Sequence, residues 1–230
     1  MLARKVQEML KNRYDIFGMD YLGDVKFEGK EDFPVCPGSN FMGEKINGVP
    51  YDRIESTRGL KLENEFLNFY VHDKRFRGFE QEPVRKLGLI RKFKGVIGTD
   101  NSPYWDLPLV QQKYNIYLNR KMDCFFWKNG IDLIQNVCWS DPNSYKFCFD
   151  ALQPGKTYAV SSHGVSKNKR LRLYFLDGLH EMIRRLHPQA IVFHGPMSTA
   201  VQELLARHGI KVIPMKPWRR RVEDGEVPNE

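Results

Sequence analysis

Short apolar segments alternate with helical segments along most of this 230-residue chain, and the alternation restricts its fold more than any other feature. The strand-like segments are Phe66–Val71, Val96–Ile97, Ile131–Cys138, Thr157–Val160, Ala190–Phe193 and Lys211–Pro214, with Phe33–Cys36 as a weaker first candidate. Helical patterns lie between them at 83–92, 107–128, 142–152, 167–187 and 198–208. Repeated strand–helix units of this kind predict a mostly parallel sheet that is covered by helices.

The number of units narrows this α/β prediction further. About six or seven strand–helix units are present, whereas a closed TIM barrel has eight. The strand segments are almost continuously apolar, which is typical of a parallel sheet buried on both faces. We therefore predict an incomplete or distorted TIM-like barrel, with an open parallel sheet as the alternative. In both architectures the functional face lies at the carboxyl ends of the strands.

The rest of the chain is expected to complete a single domain over 1–230. Its parts are an N-terminal helix at 2–12 and a loop-rich segment within 1–60, a repeat core at 61–216, and a charged tail at 217–230. The long loop from Pro37 to Pro50 carries Phe41 and three glycines, so we predict a flap that covers the strand carboxyl ends. The charged tail is expected to be frayed.

Charge and cysteine content indicate the surroundings in which the protein works. Lys and Arg number 36 against 28 Asp and Glu, and the resulting net charge of +8 favours polyanionic partners such as nucleic acid or nucleotides. Neither a membrane-spanning segment nor an apolar signal-peptide core is visible, so no membrane partner is expected. Four cysteines in a chain of this length do not form a disulfide framework, which indicates a reducing cytoplasm.

Polar and titratable side chains follow five successive predicted strands, where parallel strands would bring them to one rim. Because carboxylates and imidazoles can exchange protons with a substrate, Asp100, Asp141 and His163 are the predicted catalytic residues. The substrate-positioning candidates on the same rim are Ser102, Asn136 and Trp139. No CxxC pair is present, so no metal site is predicted, and the sequence leaves the cofactor and the oligomeric state open.

Each candidate at the rim also has a structural alternative. Asp141 precedes a predicted helix and could cap its N-terminus. Asp100 could cap the turn that follows it. His163 and His194 could satisfy buried backbone groups. The convergence of several such residues on one rim is what favours the functional interpretation.

Two consecutive strand-to-helix junctions, Ser161–Lys169 and His194–Thr199, each pass through glycine to a helix N-terminus. Helix N-termini attract anions through their free N–H groups and the positive end of the helix dipole. The predicted phosphate ligands at this corner are Lys167, Lys169, Ser198 and Thr199. Ordinary capping by Asn168 and Ser198, with solvated lysines, is the structural alternative.

Several segments resemble an uncharacterised domain family that is common in phages, plasmids and integrative elements of bacteria. The motifs that carry the resemblance are Phe93–Ser102, Gln112, Asn115, Tyr117, Arg120, Lys128–Ile131, Gln135–Asp141, Phe147–Asp150, Gly38–Phe41, Asn47–Gly48 and Lys167–Lys169. Family members usually have Pro-Asp-Phe-Ser where this chain has Thr99-Asp100-Asn101-Ser102, so the aspartate and serine are kept while the aromatic residue is not. The resemblance covers about residues 30–215, and it implies a mobile-element setting without implying a reaction.

Three classes of function follow from these features. The first is a phage- or mobile-element-type accessory enzyme that acts on a phosphate-bearing substrate, a nucleotide or a nucleic-acid end, at the strand rim. The second is a non-catalytic accessory protein that binds nucleic acid through its basic surface. The third is a protein that binds a host factor. The enzyme hypothesis requires the rim side chains to converge in one cavity, whereas the second hypothesis does not.

Overall fold

A computed structural model describes residue 19 and residues 22–165 and 168–227 of the chain. The predicted helix at 2–12 and the predicted anion ligand Lys167 therefore lie outside the described residues. The strands within the described part are β1 (Phe27–Glu28), β2 (Phe33–Pro34), β3 (Ile46–Pro50), β4 (Phe66–Asn68), β5 (Gly95–Ile97), β6 (Leu133–Ile134), β7 (Thr157–Ser161), β8 (Ala190–His194) and β9 (Lys211–Lys216).

Helices cover the outside of the sheet. They are α1 (Arg77–Gln81), α2 (Leu87–Ile90), α3 (Leu109–Lys128), α4 (Lys169–Leu186), α5 (Thr199–Arg207) and α6 (Trp218–Glu223). Short 3-10 turns occur at Tyr51–Arg53, Leu62–Asn64, Asp73–Arg75, Pro83–Lys86 and Ser144–Lys146. In the part of the chain that the structure describes, no helix combines the length and the apolar character needed to cross a bilayer.

Seven of the strands form one all-parallel sheet in the order β6-β5-β4-β3-β9-β8-β7. The two outer strands of this order, β6 and β7, meet at a single parallel bridge between Asn136 and Ala159. Two backbone hydrogen bonds form there, from Val137 N to Ala159 O and from Ala159 N to Gln135 O, each 2.9 Å long. The sheet thus nearly closes into a barrel with one unsealed seam, which confirms the predicted incomplete barrel.

Side chains along each strand point alternately to the two faces of the sheet, so every second one lies in the barrel interior and the others face the surrounding helices. In β8, Ala190 and Val192 face the interior, whereas Ile191 and Phe193 pack against the cluster that includes α4 and α5 side chains. The interior is filled by Ile46, Phe66, Ile97, Ile134, Ala159, Ala190, Val192, Ile213 and Met215. Burying a large aliphatic side chain of this kind stabilises the fold by about 1.5–3 kcal/mol, so the barrel is a packed core and its centre is filled.

The segment before β3 closes the amino end of the barrel, so the predicted flap over the carboxyl ends is wrong. The ring of Phe41 packs edge-on against Phe66, the first residue of β4, with 5.4 Å between ring centroids. The carbonyl oxygen of Phe41 accepts a 2.8 Å hydrogen bond from Thr157 Oγ1, at the start of β7. The ammonium of Lys94, next to the start of β5, lies 5.6 Å from the Phe41 ring centroid. Phe41 is therefore a plug at the end opposite the predicted site.

Part of that predicted loop is strand β3, which lies in the middle of the sheet. Sequence patterning misses it because Ile46–Pro50 contains a glycine and ends in proline, both unfavourable in strands. The glycine has a packing reason, since a Cβ at Gly48 would lie 2.9 Å from both Asn68 Nδ2 and Met215 Sδ. The sheet consequently begins well before residue 61, the expected start of the repeat core.

Three other elements differ from their sequence patterns. The expected helix at 142–152 is only a 3-10 turn at Ser144–Lys146, followed by turns. The candidate strand Phe33–Cys36 is reduced to β2, which pairs antiparallel with β1 outside the barrel. The expected strand Ile131–Cys138 is reduced to β6 and the bridge at Asn136, since the chain bends away to form the seam.

The charged tail differs from the expected frayed terminus because much of it packs on the barrel as α6. The Arg221 side chain is 3% exposed and forms a bidentate ion pair with Glu65, at 2.7 and 2.8 Å. Arg221 Nη1 also donates to the carbonyl oxygen of Gly48 in β3, at 3.1 Å. Trp218 packs against the adjoining apolar cluster. A buried ion pair thus anchors α6 over the β3–β4 side of the barrel.

This arrangement predicts a large stability loss for Arg221→Met, because the variant leaves the Glu65 carboxylate buried without its partner. We expect a decrease of about 3–5 kcal/mol in the free energy of unfolding, measured by urea denaturation. The matched control is the double variant Arg221→Met/Glu65→Leu, which removes both charges and should recover most of the loss. Equal losses in the single and double variants would contradict the role of the ion pair.

Candidate functional site

A pocket of about 200 Å³ opens at the carboxyl ends of the strands, above β5, β6 and β7. Its aromatic lining consists of Tyr104, Trp105, Trp139 and Phe175. Its polar lining consists of Asp100, Ser102, Ser140, Ser161 and His163, with Cys138 beside them. The pocket therefore combines flat apolar surfaces with groups that can donate or accept protons.

A polar cluster forms the end of the barrel interior directly behind this pocket. Asn136 Nδ2 donates to Asp100 Oδ1 at 2.8 Å, and the hydroxyl of Tyr70 donates to Asn136 Oδ1 at 2.9 Å. The ring of Tyr70 stacks on His194, with centroids 4.5 Å apart and planes 3° apart. His194 Nδ1 in turn lies 2.9 Å from Ser161 Oγ. Side chains that follow or end five parallel strands thus form one connected network.

The sequence changes from apolar to polar at the last inward position of the strands, and this change creates the network. Ala159 and Ala190, with Val192, line the interior of β7 and β8, and the next inward residues are Ser161 and His194. Ser161 and His194 are register partners, and they form the last residue pair between β7 and β8. The strand pairing itself therefore fixes the positions from which the polar side chains project.

The carboxyl group of Asp100 has an unusual protonation equilibrium for an aspartate. Burial raises its pKa to about 6, and the charge of Asp73 adds to the rise, while the hydrogen bond from Asn136 opposes it. A carboxyl group in this range exists in both forms near neutral pH, which suits transfer of a proton in either direction. Since Asp100 also faces the pocket, it is the strongest acid–base candidate in the described part of the chain.

Burial has the opposite effect on the neighbouring imidazole. Burial and, to a smaller extent, the nearby His163 ring at 5.7 Å between centroids together lower the pKa of His194 to about 4. His194 is consequently neutral at physiological pH and can accept a hydrogen bond at one ring nitrogen. Burial also raises the pKa of Tyr70 well above its ordinary value, so its hydroxyl remains a donor to Asn136.

A second group of polar side chains holds the loop that carries Asp100. The backbone N–H of Asn101 and its Nδ2 both donate to Asn119 Oδ1 at 2.9 Å, and Nδ2 also contacts Glu80. Burial raises the pKa of Glu80 to about 7. On the other side of the loop, Asp73 accepts from Ser102 N at 3.2 Å. Asn101 is thus part of a hydrogen-bonded clamp on this loop.

The structure brings five of the predicted rim residues together and leaves one apart. Asp100, Ser102, Trp139 and His163 line the pocket, and Asn136 binds Asp100 from behind. Asp141 lies outside the pocket lining, and its carboxylate instead accepts from Asn143 N and Ser144 N at 3.1 and 3.3 Å. The Asp141 side chain thus caps the turn that replaces the expected helix.

The predicted anion corner forms a separate groove next to the pocket. Lys169 and Ser198 line it, together with Arg172 and mainly apolar side chains, and Val165 and Phe175 line both cavities. Ser198 Oγ accepts from Val201 N at 3.4 Å, so this hydroxyl caps α5 as the structural alternative predicts. Thr199 is the exposed first residue of the same helix.

Sequence reasoning missed the Tyr70 side chain as a member of the site, and it named His194 and Ser161 at strand ends without selecting either as a site residue. Tyr70 looks like an ordinary apolar strand residue, and only its position, two residues beyond Asn68, places its hydroxyl among the rim groups. Counting alternate positions along β7 and β8 would have found Ser161 and His194. Within the described residues, no group of three or more His, Cys, Asp or Glu side chains is arranged to hold a metal ion.

Comparison with known proteins finds one matching family and two similar phage proteins. The profile of the family described as "Domain of unknown function (DUF4417)" matches residues 36–207. The "Gene 1 protein" of Mycobacterium phage L5 is 31% identical over 131 residues, 57% of this chain and 57% of that protein. The "Gene 1 protein" of Mycobacterium phage D29 is 30% identical over 129 residues, 56% of this chain and 48% of that protein. The chain thus spans about half the length of these relatives, and no solved structure matches it significantly.

The raised pKa of Asp100 predicts a pH-dependent difference in stability between the wild type and Asp100→Asn. The folded-state pKa of about 6 lies above the ordinary value of 3.8, so the stability contributed by the protonated carboxyl is complete below pH 4 and is lost as the pH rises through 6. The asparagine stays uncharged, so from about pH 4 to pH 7.5 the variant should gain up to about 3 kcal/mol relative to the wild type in urea unfolding.

Because Glu80 and Asp123 also have raised pKa values, only this difference between the two proteins isolates Asp100. The exposed Asp106, in the same loop, supplies the control variant Asp106→Asn, which should show no such gain. A constant difference between wild type and Asp100→Asn across the pH range would refute the raised pKa.

Proposed function

Because the chain belongs to the family described as "Domain of unknown function (DUF4417)", with relatives among mycobacteriophage proteins, we propose its function from the geometry of its site. The proposed function is that of a phage- or mobile-element-type accessory enzyme that acts on a phosphate-bearing substrate, a nucleotide or a nucleic-acid end. Its reaction takes place in the pocket at the strand carboxyl ends and depends on proton transfer by Asp100.

The observation that carries this proposal is the position of Asp100. Its carboxyl group faces a pocket, is held by Asn136 at 2.8 Å, and has a pKa raised to about 6 by burial. A raised pKa combined with a position in a cavity is typical of a carboxyl group that exchanges protons with a ligand. General acid–base catalysis by a positioned group of this kind typically contributes about 10²–10⁴-fold to a rate.

The aromatic lining supports a planar substrate group. Tyr104 and Trp105 are about half exposed at the entrance, and Trp139 and Phe175 stack on each other at 5.3 Å between centroids. Stacking of a base on an aromatic side chain is worth about 1–3 kcal/mol. Four aromatic side chains around one small pocket therefore favour a nucleobase over an aliphatic ligand.

Cationic side chains near the pocket support a phosphate on that substrate. The guanidinium of Arg170 lies 5.2 Å from the Trp105 ring centroid, and its Nε donates to the Tyr174 hydroxyl at 2.9 Å. Lys169 lines the adjoining groove with Ser198. We place the phosphate between these groups, where it would benefit from charge-assisted hydrogen bonds of about 1.5–3 kcal/mol each. The four free cysteines support the cytoplasmic setting that we propose for this activity.

The test separates binding from chemistry. We expect 5′-mononucleotides or short single-stranded oligonucleotides to bind in isothermal titration calorimetry and to be converted in a chromatographic assay. Asp100→Asn keeps the shape and the hydrogen bond from Asn136, so affinity should change only a few-fold while turnover falls about 10²–10⁴-fold. Asp141→Asn is the matched control and should retain turnover, because that carboxylate caps a turn outside the pocket.

Two results would overturn the proposal. Oligonucleotide binding with a steep salt dependence, no turnover and no effect of Asp100→Asn would favour the non-catalytic nucleic-acid-binding function that the net charge of +8 also permits. Failure of both probes to bind would exclude nucleotides and nucleic-acid ends as substrates and would leave the host-factor-binding class.

A further inference from the structure

We propose that Ser161 is a nucleophile in the candidate site and that His194 is the general base that takes its proton. The inference rests on the proposed function, because it uses the same pocket and gives Asp100 the complementary role of general acid. It goes further by assigning the reaction class: displacement at a phosphodiester through a covalent phosphoseryl intermediate.

Three serines line the pocket, and they differ in the group that each hydroxyl contacts. Ser102 Oγ donates to the carbonyl oxygen of Asp100 at 3.5 Å, and Ser140 Oγ donates to Gln112 Oε1 at 2.9 Å. Neither a backbone carbonyl nor an amide oxygen can take up a proton near neutral pH. The hydroxyl of Ser161, in contrast, lies 2.9 Å from an imidazole nitrogen of His194, a side chain that can act as a general base.

Backbone pairing holds the two side chains of this dyad in place. Ser161 and His194 are register partners in neighbouring parallel strands, and Ser162 N donates to His194 O at 2.9 Å just beyond them. The backbone N–H of His163 donates to Ser161 Oγ at 3.1 Å and so occupies one of its lone pairs. This contact leaves the hydroxyl proton free to point at His194 Nδ1.

The imidazole is also prepared for the role of base. Stacking on Tyr70 at 4.5 Å fixes the plane of the His194 ring, and the ring is 8% exposed. Burial keeps it neutral by lowering its pKa to about 4. In the neutral tautomer that carries its proton on Nε2, Nδ1 accepts the Ser161 hydroxyl proton. A base with this low pKa is a weak one, so it needs a substrate whose leaving group is protonated at the same time.

Asp100 supplies that proton on the other side of the pocket. In the proposed step, Ser161 Oγ forms a bond to the phosphorus of a phosphodiester and its proton passes to His194 Nδ1. The bond from phosphorus to the leaving oxygen breaks, and the protonated Asp100 carboxyl delivers its proton to that oxygen. Water then attacks the phosphoserine, gives its proton to the Asp100 carboxylate, and displaces Ser161 Oγ, which recovers its proton from His194. Both groups end in their starting forms.

The experiment uses all 230 residues of the chain and an alkyl fluorophosphonate, which reacts with activated serines by losing fluoride. Tryptic mass spectrometry should locate one phosphonyl group on Ser161. Ser161→Ala should remove this label, and His194→Asn should slow labelling by about 10²-fold or more, because the amide cannot take up the proton. The wild-type labelling rate should also fall as the pH drops toward 4, where His194 becomes protonated.

The matched control is Ser162→Ala, which changes the adjacent serine. Its hydroxyl donates to the carbonyl oxygen of Pro196 at 2.6 Å, so its removal should leave the label on Ser161 unchanged. Urea unfolding of each variant identifies a change that merely destabilises the fold; should His194→Asn prove unfolded, Ser161→Ala and the pH dependence of the wild type decide.

Two outcomes would overturn the assignment: a folded wild type that carries no label on Ser161, or equal labelling rates in wild type and a folded His194→Asn. Failure of the nucleophile assignment can be told apart from failure of the proposed function. Nucleotide turnover that depends on Asp100 without a label on Ser161 would retain the enzyme and reject the nucleophile. A label on Ser161 without nucleotide binding would retain the nucleophile and reject the nucleotide substrate.

Discussion

The closure of the barrel and the organisation of the candidate site depend on the same residue, Asn136. It is paired with Ala159 at the single bridge across the seam, where its neighbours Gln135 and Val137 make the backbone hydrogen bonds. Its side chain links Asp100 on one side to Tyr70 on the other. If the seam were open, Asn136 would have no fixed position from which to hold the Asp100 carboxyl. Through Tyr70 the same side chain also reaches His194, because the Tyr70 ring stacks on the imidazole at 4.5 Å between centroids.

The features of the fold that could be predicted from the sequence are those determined by local patterns. Strand–helix alternation indicated the incomplete barrel, and the positions after the strands contained most of the pocket-lining polar residues. Pairings between distant segments could not be predicted in the same way. Arg221 forms its ion pair with Glu65, which lies 156 positions earlier in the chain. The sequence of a charged terminal segment does not indicate which distant residue it will contact. Strand β3 was missed because burial in the centre of the sheet overrides its poor propensity.

Three carboxyl groups are buried in or near the site, although burial of a carboxylate costs stability. Burial raises the pKa values of Glu80 and Asp123 to about 7, and that of Asp100 to about 6. Asp123 also restricts its neighbourhood, because a Cβ at Gly98 would lie 2.4 Å from its Oδ1. Each such group reduces stability when it ionises, and proteins commonly tolerate this at functional sites. Of these three carboxyl groups, Asp100 lines the pocket, and this distinguishes it from the other two.

Phe41 fills the amino end of the barrel, and the interior behind it is packed with aliphatic side chains. No route through the centre of the barrel is therefore open to a ligand within the described residues. A ligand in the pocket therefore enters and leaves at the carboxyl-end side of the barrel, where Tyr104 and Trp105 are about half exposed. Exchange of one bound ligand for the next is thus confined to that side, and a departing ligand has to clear the half-exposed aromatic side chains before another one binds.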